Sequence, residues 1–143
     1  MESKSPFQGV ERLYSEAGMT ALSNAHVMVI GIGGVGSWSA EALARSGVGQ
    51  ITLVDLDDIC VSNINRQIHA TDKTIGQMKV HQMSERIKAI NPNAIVNGIE
   101  DFFSASSMDE ILTIKCDYII DAIDSVKSKA LLIAECQKRG LKL

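Results

Sequence analysis

The residues HVMVIGIGGVGSWSAEALARSGVGQITLVD, 26–55, decide the fold. They open on a short, nearly continuous β-branched run, 26–31, of the kind a strand buried on both faces requires. The run breaks on glycine: Gly31, Gly33 and Gly36 satisfy GxGxxG directly after that strand and at the start of a helical stretch, 34–46. A second apolar run, 50–55, ends in Asp55. Strand, glycine turn, helix and strand in this order make a βαβ unit, whose right-handed crossover sets the strands parallel. The same glycines bear on chemistry. Gly31 and Gly33 permit a tight turn and close backbone approach, and the helix N-terminus beyond Gly34 offers unpaired N–H groups to a phosphate. A turn that only packs strand on helix is the plain alternative, but Asp55 stands near the ~20-residue offset at which an acid meets a ribose hydroxyl. Nucleotide binding follows, with the nucleotide left open.

Outward from this unit the alternation continues. Strand signals recur more weakly at 94–99 and 117–121, and helical stretches fall at 77–90, 107–113 and 125–139, the last closed by Gly140 as a C-cap. The pattern predicts an α/β, Rossmann-like, mostly parallel sheet with helices on both faces. Ahead of it, 10–23 reads as a helical lead-in with Leu13, Ala17 and Ala21 on one side and Asn24 as a stop, giving a lead-in at 1–24 and a nucleotide-binding domain at 25–143. Residues 140–143 look like the start of a further strand after a helix cap. The expectation is therefore an incomplete domain, poorly active alone, whose C-terminal half lies elsewhere.

Composition narrows the class. The chain has 143 residues, 45% of them hydrophobic and 22% charged, with a net charge of −3, which excludes disordered and fibrous types and gives no support for nucleic-acid binding by the whole surface. Cys60, Cys116 and Cys136 form no CxxC, so neither a disulfide framework nor a zinc knuckle is suggested; they read as buried small apolar residues in a reducing compartment. No apolar run approaches the ~20 residues of a membrane span, and a cytoplasmic location is the expectation. His69 and His81 read as surface or packing residues rather than metal ligands, and Trp38 as core or interface.

The segment after Asp55 is unusual. Asp57 and Asp58 precede Ser62-Asn63-Ile64-Asn65-Arg66-Gln67, five hydrogen-bonding side chains in six residues. A surface helix or cap is the bland reading. A dinucleotide fold, however, has no need of an arginine here, whereas a triphosphate does, because guanidinium matches phosphate oxygens bidentately. Lys79, expected in the first turn of the next helix, would add a point charge, although such a lysine alone is more often solvated.

Taken in order, GIGGVGS, VDLDD, SNINRQ, GQMK and DYIIDAIDS closely resemble the adenylation domain of ubiquitin-activating-type enzymes and their bacterial relatives that activate sulfur-carrier proteins. The resemblance spans roughly residues 8–139 and is strongest to the tRNA threonylcarbamoyladenosine dehydratase branch. It implies ATP-dependent activation of a carboxylate, with cyclisation of threonylcarbamoyladenosine in the tRNA anticodon loop as the reaction. Gly31, Gly33, Gly34 and Gly36 would line the ATP site, with Asp55 on the ribose and Asp57 nearby. Asn63, Asn65, Arg66, Gln67 and Lys79 would surround the phosphates, with Arg66 and Lys79 catalytic. Asp124 would hold Mg²⁺, and Arg12 would reach across a homodimer to the partner's ATP. A ubiquitin-like sulfur carrier is the alternative partner to tRNA, and a NAD-dependent oxidoreductase or non-catalytic dinucleotide module is the alternative class. Lys127, Lys129, Lys138, Arg139 and Lys142 make the C-terminal helix basic, which solvation and dipole complementarity explain; a tRNA-facing patch is the competing reading.

Overall fold

Strand β1 (His26–Ile30) is buried at every position, and its side chains divide by parity between two cores. The computed structural model describes residues 5–143. Val27 and Val29 join Ile51 and Leu53 of β2 (Gln50–Val54), Ala40 and Ala44 of α2 (Gly36–Arg45), and Val80, Met83 and Ile87 of α3 (Lys79–Ile90). Met28 and Ile30 face the other way, onto Ile111 and Leu112 of α4 (Met108–Leu112) and Leu132 and Cys136 of α5 (Val126–Arg139). Each Val, Leu, Ile or Met side chain among them, fully buried, contributes about 1.5–3 kcal/mol. Two layers of helices therefore sandwich one sheet.

The sheet is wholly parallel, in the order β3-β2-β1-β4, with β3 at Ile95–Ile99 and β4 at Tyr118–Asp121. In register, His26 meets Gln50 and Ile30 meets Val54. The edge strand β3 is largely exposed, which is why its apolar signal was weak. Beyond the Gly140 cap, in the left-handed region at φ 66, the Ile119 N–H on the outer side of β4 donates to the Lys142 carbonyl at 2.8 Å.

The lead-in departs from expectation. Helix α1 (Gln8–Asn24) exists, but Leu13 is 73% exposed and Ala17 and Ala21 face solvent. Phe7 and Met19 turn inward instead, against Gly47, and Leu22 packs on the α2–α3 core. The helix is interrupted at Ser15, whose φ is 70 and ψ 171. One smaller correction follows: Cys60 is exposed rather than buried. Trp38 is 52% exposed, which leaves the interface reading and not the core one, and Lys79 is buried, against the solvated alternative. Among the described residues, no helix is long and apolar enough to cross a membrane.

Candidate functional site

The chain leaves β1 and β2 toward one side and returns to β4 on the other, so the crevice at the strands' C-terminal ends beside β1 is where an open α/β sheet accepts a ligand. A cavity of about 640 Å³ opens there. Gly31, Gly33, Gly34, Asp55, Asp57, Asn63, Arg66, Gln67, Lys79 and Asp124 all line it, which brings together ten of the residues singled out from sequence. Gly36 does not. It sits behind the turn, where a Cβ would run into the Gly31 carbonyl oxygen, so its lack of a side chain serves close packing. Asn65 also lies outside and accepts a hydrogen bond from Arg66 Nη1 at 3.0 Å. Arg12, on the exposed side of α1, is outside as well.

The turn itself is shaped for an anion. Gly31 has φ 92 and abuts the Ala122 carbonyl, a position only glycine fills. At Gly33 and Gly34 an added Cβ would meet only the Gln67 and Arg66 side chains, at 3.7 and 3.5 Å, so the space above them is open. The amides of Gly33, Gly34 and Val35 have no partner among the described residues, and α2 starts without a side-chain cap. A helix N-terminus with free N–H groups is a ready anion site.

Two cations border it. Arg66 is exposed at the rim, with its Nη1 donating to the Ser62 carbonyl at 2.8 Å, which holds its stem against the glycine turn. Lys79 is 6% exposed at the first position of α3, the positive end of that helix dipole. Its Nζ has one carboxylate, the half-exposed Asp57, at 3.4 Å. Burying an ammonium at the wrong end of a dipole with so loose a counter-ion is unfavourable for the protein alone. An anion bound in the cavity removes the penalty.

The acids divide the labour. Asp55 is 8% exposed, and its two oxygens accept the Ile32 N–H at 2.7 Å and the Asp57 N–H at 2.8 Å, so it braces the ends of both central strands. At β4, Asp121 accepts from the Ile123 N–H and from Lys129 Nζ, at 3.0 and 2.7 Å, fixing the loop that presents exposed Asp124 to the cavity. Mg²⁺ is usually bound by one or two carboxylates together with substrate phosphates. Asp124 fits that donor set, and the open glycine turn with Lys79 and Arg66 fits a nucleoside triphosphate.

Sequence reasoning missed the far wall. Asp101, Phe102, Phe103 and Ser104, after β3, and Ser125 and Ser128, at the start of α5, also line the cavity. Phe102 is 50% exposed there, a flat apolar surface suited to a base. Apart from Ser125, which closes the DYIIDAIDS stretch, these residues belong to no motif, and only the rule that ligands sit beyond the C-terminal ends of parallel strands could have found them.

A family model described as the ThiF family matches residues 8–143. The chain is 55% identical over 135 residues to the tRNA threonylcarbamoyladenosine dehydratase of Haemophilus influenzae, covering 94% of this chain and 52% of that protein. It is 33% identical over 129 residues to the molybdopterin-synthase adenylyltransferase of Salmonella typhimurium, covering 90% and 51% respectively. Among solved structures, the E. coli tRNA N6-threonylcarbamoyladenosine dehydratase TcdA in complex with ATP superposes with a TM-score of 0.95 at 48% identity, over 96% of this chain and 57% of that one. The chain thus spans about half the length of the curated relatives it matches.

Proposed function

Because this chain belongs to the ThiF family, we propose that its cavity binds ATP with Mg²⁺ and that the protein activates a carboxylate by adenylation, the carboxylate being that of threonylcarbamoyladenosine in tRNA. The observation that carries the reading is the convergence of unpartnered glycine-turn amides, Lys79, Arg66 and Asp124 on one cavity. A nicotinamide enzyme has no use for the last three.

ATP supplies the adenylyl group: a carboxylate oxygen displaces pyrophosphate from the α-phosphorus, and internal attack on the resulting mixed anhydride releases AMP. In the first of these steps negative charge grows on the phosphoryl oxygens and the departing pyrophosphate. Lys79 and Arg66, which line the cavity, would stabilise it, and the amides of Gly33 and Gly34 would add oriented dipoles. Asp124 would hold Mg²⁺, which neutralises the leaving group. Asp55 would meet the ribose, with Asp57 nearby.

Three finer assignments belong to the same proposal: a cytoplasmic location, a homodimer, and Arg12 acting on the partner's phosphates. Supporting a second copy is the outward face of α1, where Leu13 is 73% and Tyr14 57% exposed. The test supplies the intact protein with ATP and either unmodified or threonylcarbamoyl-bearing tRNA. AMP release only with the latter supports the proposal; AMP release only with a ubiquitin-like carrier protein transfers the chemistry to that substrate.

A further inference from the structure

Among the described residues, His69 is the one buried titratable group near the cavity that this scheme leaves without a task. It is 4% exposed, and its Nε2 lies 2.8 Å from the carbonyl oxygen of Ile32, the residue between the first two glycines of the turn. A carbonyl only accepts, so Nε2 carries the proton. Burial pushes the imidazole pKa below its ordinary value and the nearby Lys79 charge pushes the same way, outweighing the Ile32 hydrogen bond and Asp55, so the ring is neutral. Its Nδ1 is buried and has no partner.

Both polar groups of Ile32 are therefore pinned by side chains from separate segments, the N–H by Asp55 Oδ2 at 2.7 Å and the carbonyl by His69. A trans peptide is planar, with its C=O and N–H on opposite sides. Turning the Ile32 carbonyl toward His69 turns the Gly33 N–H away from it, and that amide is unpartnered on a residue lining the cavity. The next carbonyl is held similarly: Gly33 O accepts the Ser37 N–H at 3.0 Å and the Ser37 hydroxyl, whose oxygen accepts the Ile68 N–H at 3.4 Å. Glycine backbone is otherwise free to sample many conformations, and fixing it in advance removes that cost from ligand binding.

We propose that His69 is a positioning residue, which aims the Gly33 amide at a bound phosphate by holding the Ile32 carbonyl as a neutral Nε2–H donor. This rests on the reading of the cavity as an ATP site. The two can be separated by measuring the affinities of ATP and of adenosine for the intact protein, as wild type, His69→Phe and His69→Gln. His69→Phe keeps a buried ring but no donor; it is expected to weaken ATP roughly tenfold, the loss of one hydrogen bond, and to leave adenosine unchanged. His69→Gln, which retains an N–H, is expected to recover most of the ATP affinity, and the KM for ATP to follow the same order. ATP binding by His69→Phe at the wild-type level, or an equal loss of ATP and adenosine, overturns the inference. Failure of the wild type to bind ATP overturns the cavity reading beneath it. A further readout needs no variant: the ring-nitrogen chemical shifts of His69 are expected to show a proton on Nε2, and a proton on Nδ1 overturns the proposal.

Discussion

Glu41 and Lys79 are buried to nearly the same degree, 5% and 6% exposed, yet their surroundings treat them in opposite ways. Glu41, on α2, receives Arg45 Nε at 2.8 Å and Arg86 Nε and Nη2 at 2.6 and 3.0 Å, so its charge is matched twice over within the chain and rivets α2 to α3. Lys79 at the cavity has only Asp57, at 3.4 Å and half in solvent. A buried charge that serves the fold is compensated by the fold; one that is left wanting serves something the fold does not contain.

The sharpest way to break this contrast is Lys79→Met. Its expected effect is a fall in AMP release on the order of 10²-fold or more, with a melting temperature unchanged or raised, because a poorly paired buried charge is replaced by apolar volume. A parallel drop in melting temperature would place Lys79 with Glu41 as a structural charge. Arg86→Ala should do the reverse: ATP affinity unchanged, and a loss of about 2 kcal/mol in urea unfolding, moderated because the arginine is partly exposed and Arg45 remains.

Acid sharpens the same point. Burial alone would raise the Glu41 pKa, but the hydrogen bonds and charges of Arg86 and Arg45 outweigh it and hold the carboxyl below the usual carboxylate range. A folded pKa below the unfolded one contributes stability that is present above the unfolded value and disappears as pH falls through the folded one. The stability difference between wild type and Glu41→Gln, followed from about pH 6 to about pH 3, should therefore shrink as pH falls. Smallest of all is Leu13→Ser, within about 0.5 kcal/mol by thermal unfolding of the monomer, since the side chain touches little.

What could be read in advance, and what could not, divides along a physical line. The four strands were legible to within a residue: β1 and β2 because continuous apolar runs report burial on two faces directly, and the more exposed edge strands β3 and β4 through weaker signals in the strand–helix alternation. Helix α2 begins two residues later than expected, since Gly34 and Val35 belong to the turn and its free amides. The spacing put Leu13, Ala17 and Ala21 on one side of α1 without showing that this side is exposed, and the break at Ser15 has no sequence marker. At the cavity, the glycines, Arg66, Lys79 and Asp124 stood in ordered motifs. Phe102 and Ser104 arrive there only through sheet topology, and His69 matters through a carbonyl far away in sequence, which no local pattern encodes.

Trp38 closes one of the ties between the two arms of the cavity: its indole N–H donates to the Arg66 carbonyl at 2.8 Å while half the ring faces water. It is the only tryptophan in the chain. The protein thus carries an intrinsic fluorophore tied to the arginine segment, so its emission wavelength and quenching by iodide are expected to report any change there on adding nucleotide, without any label being attached.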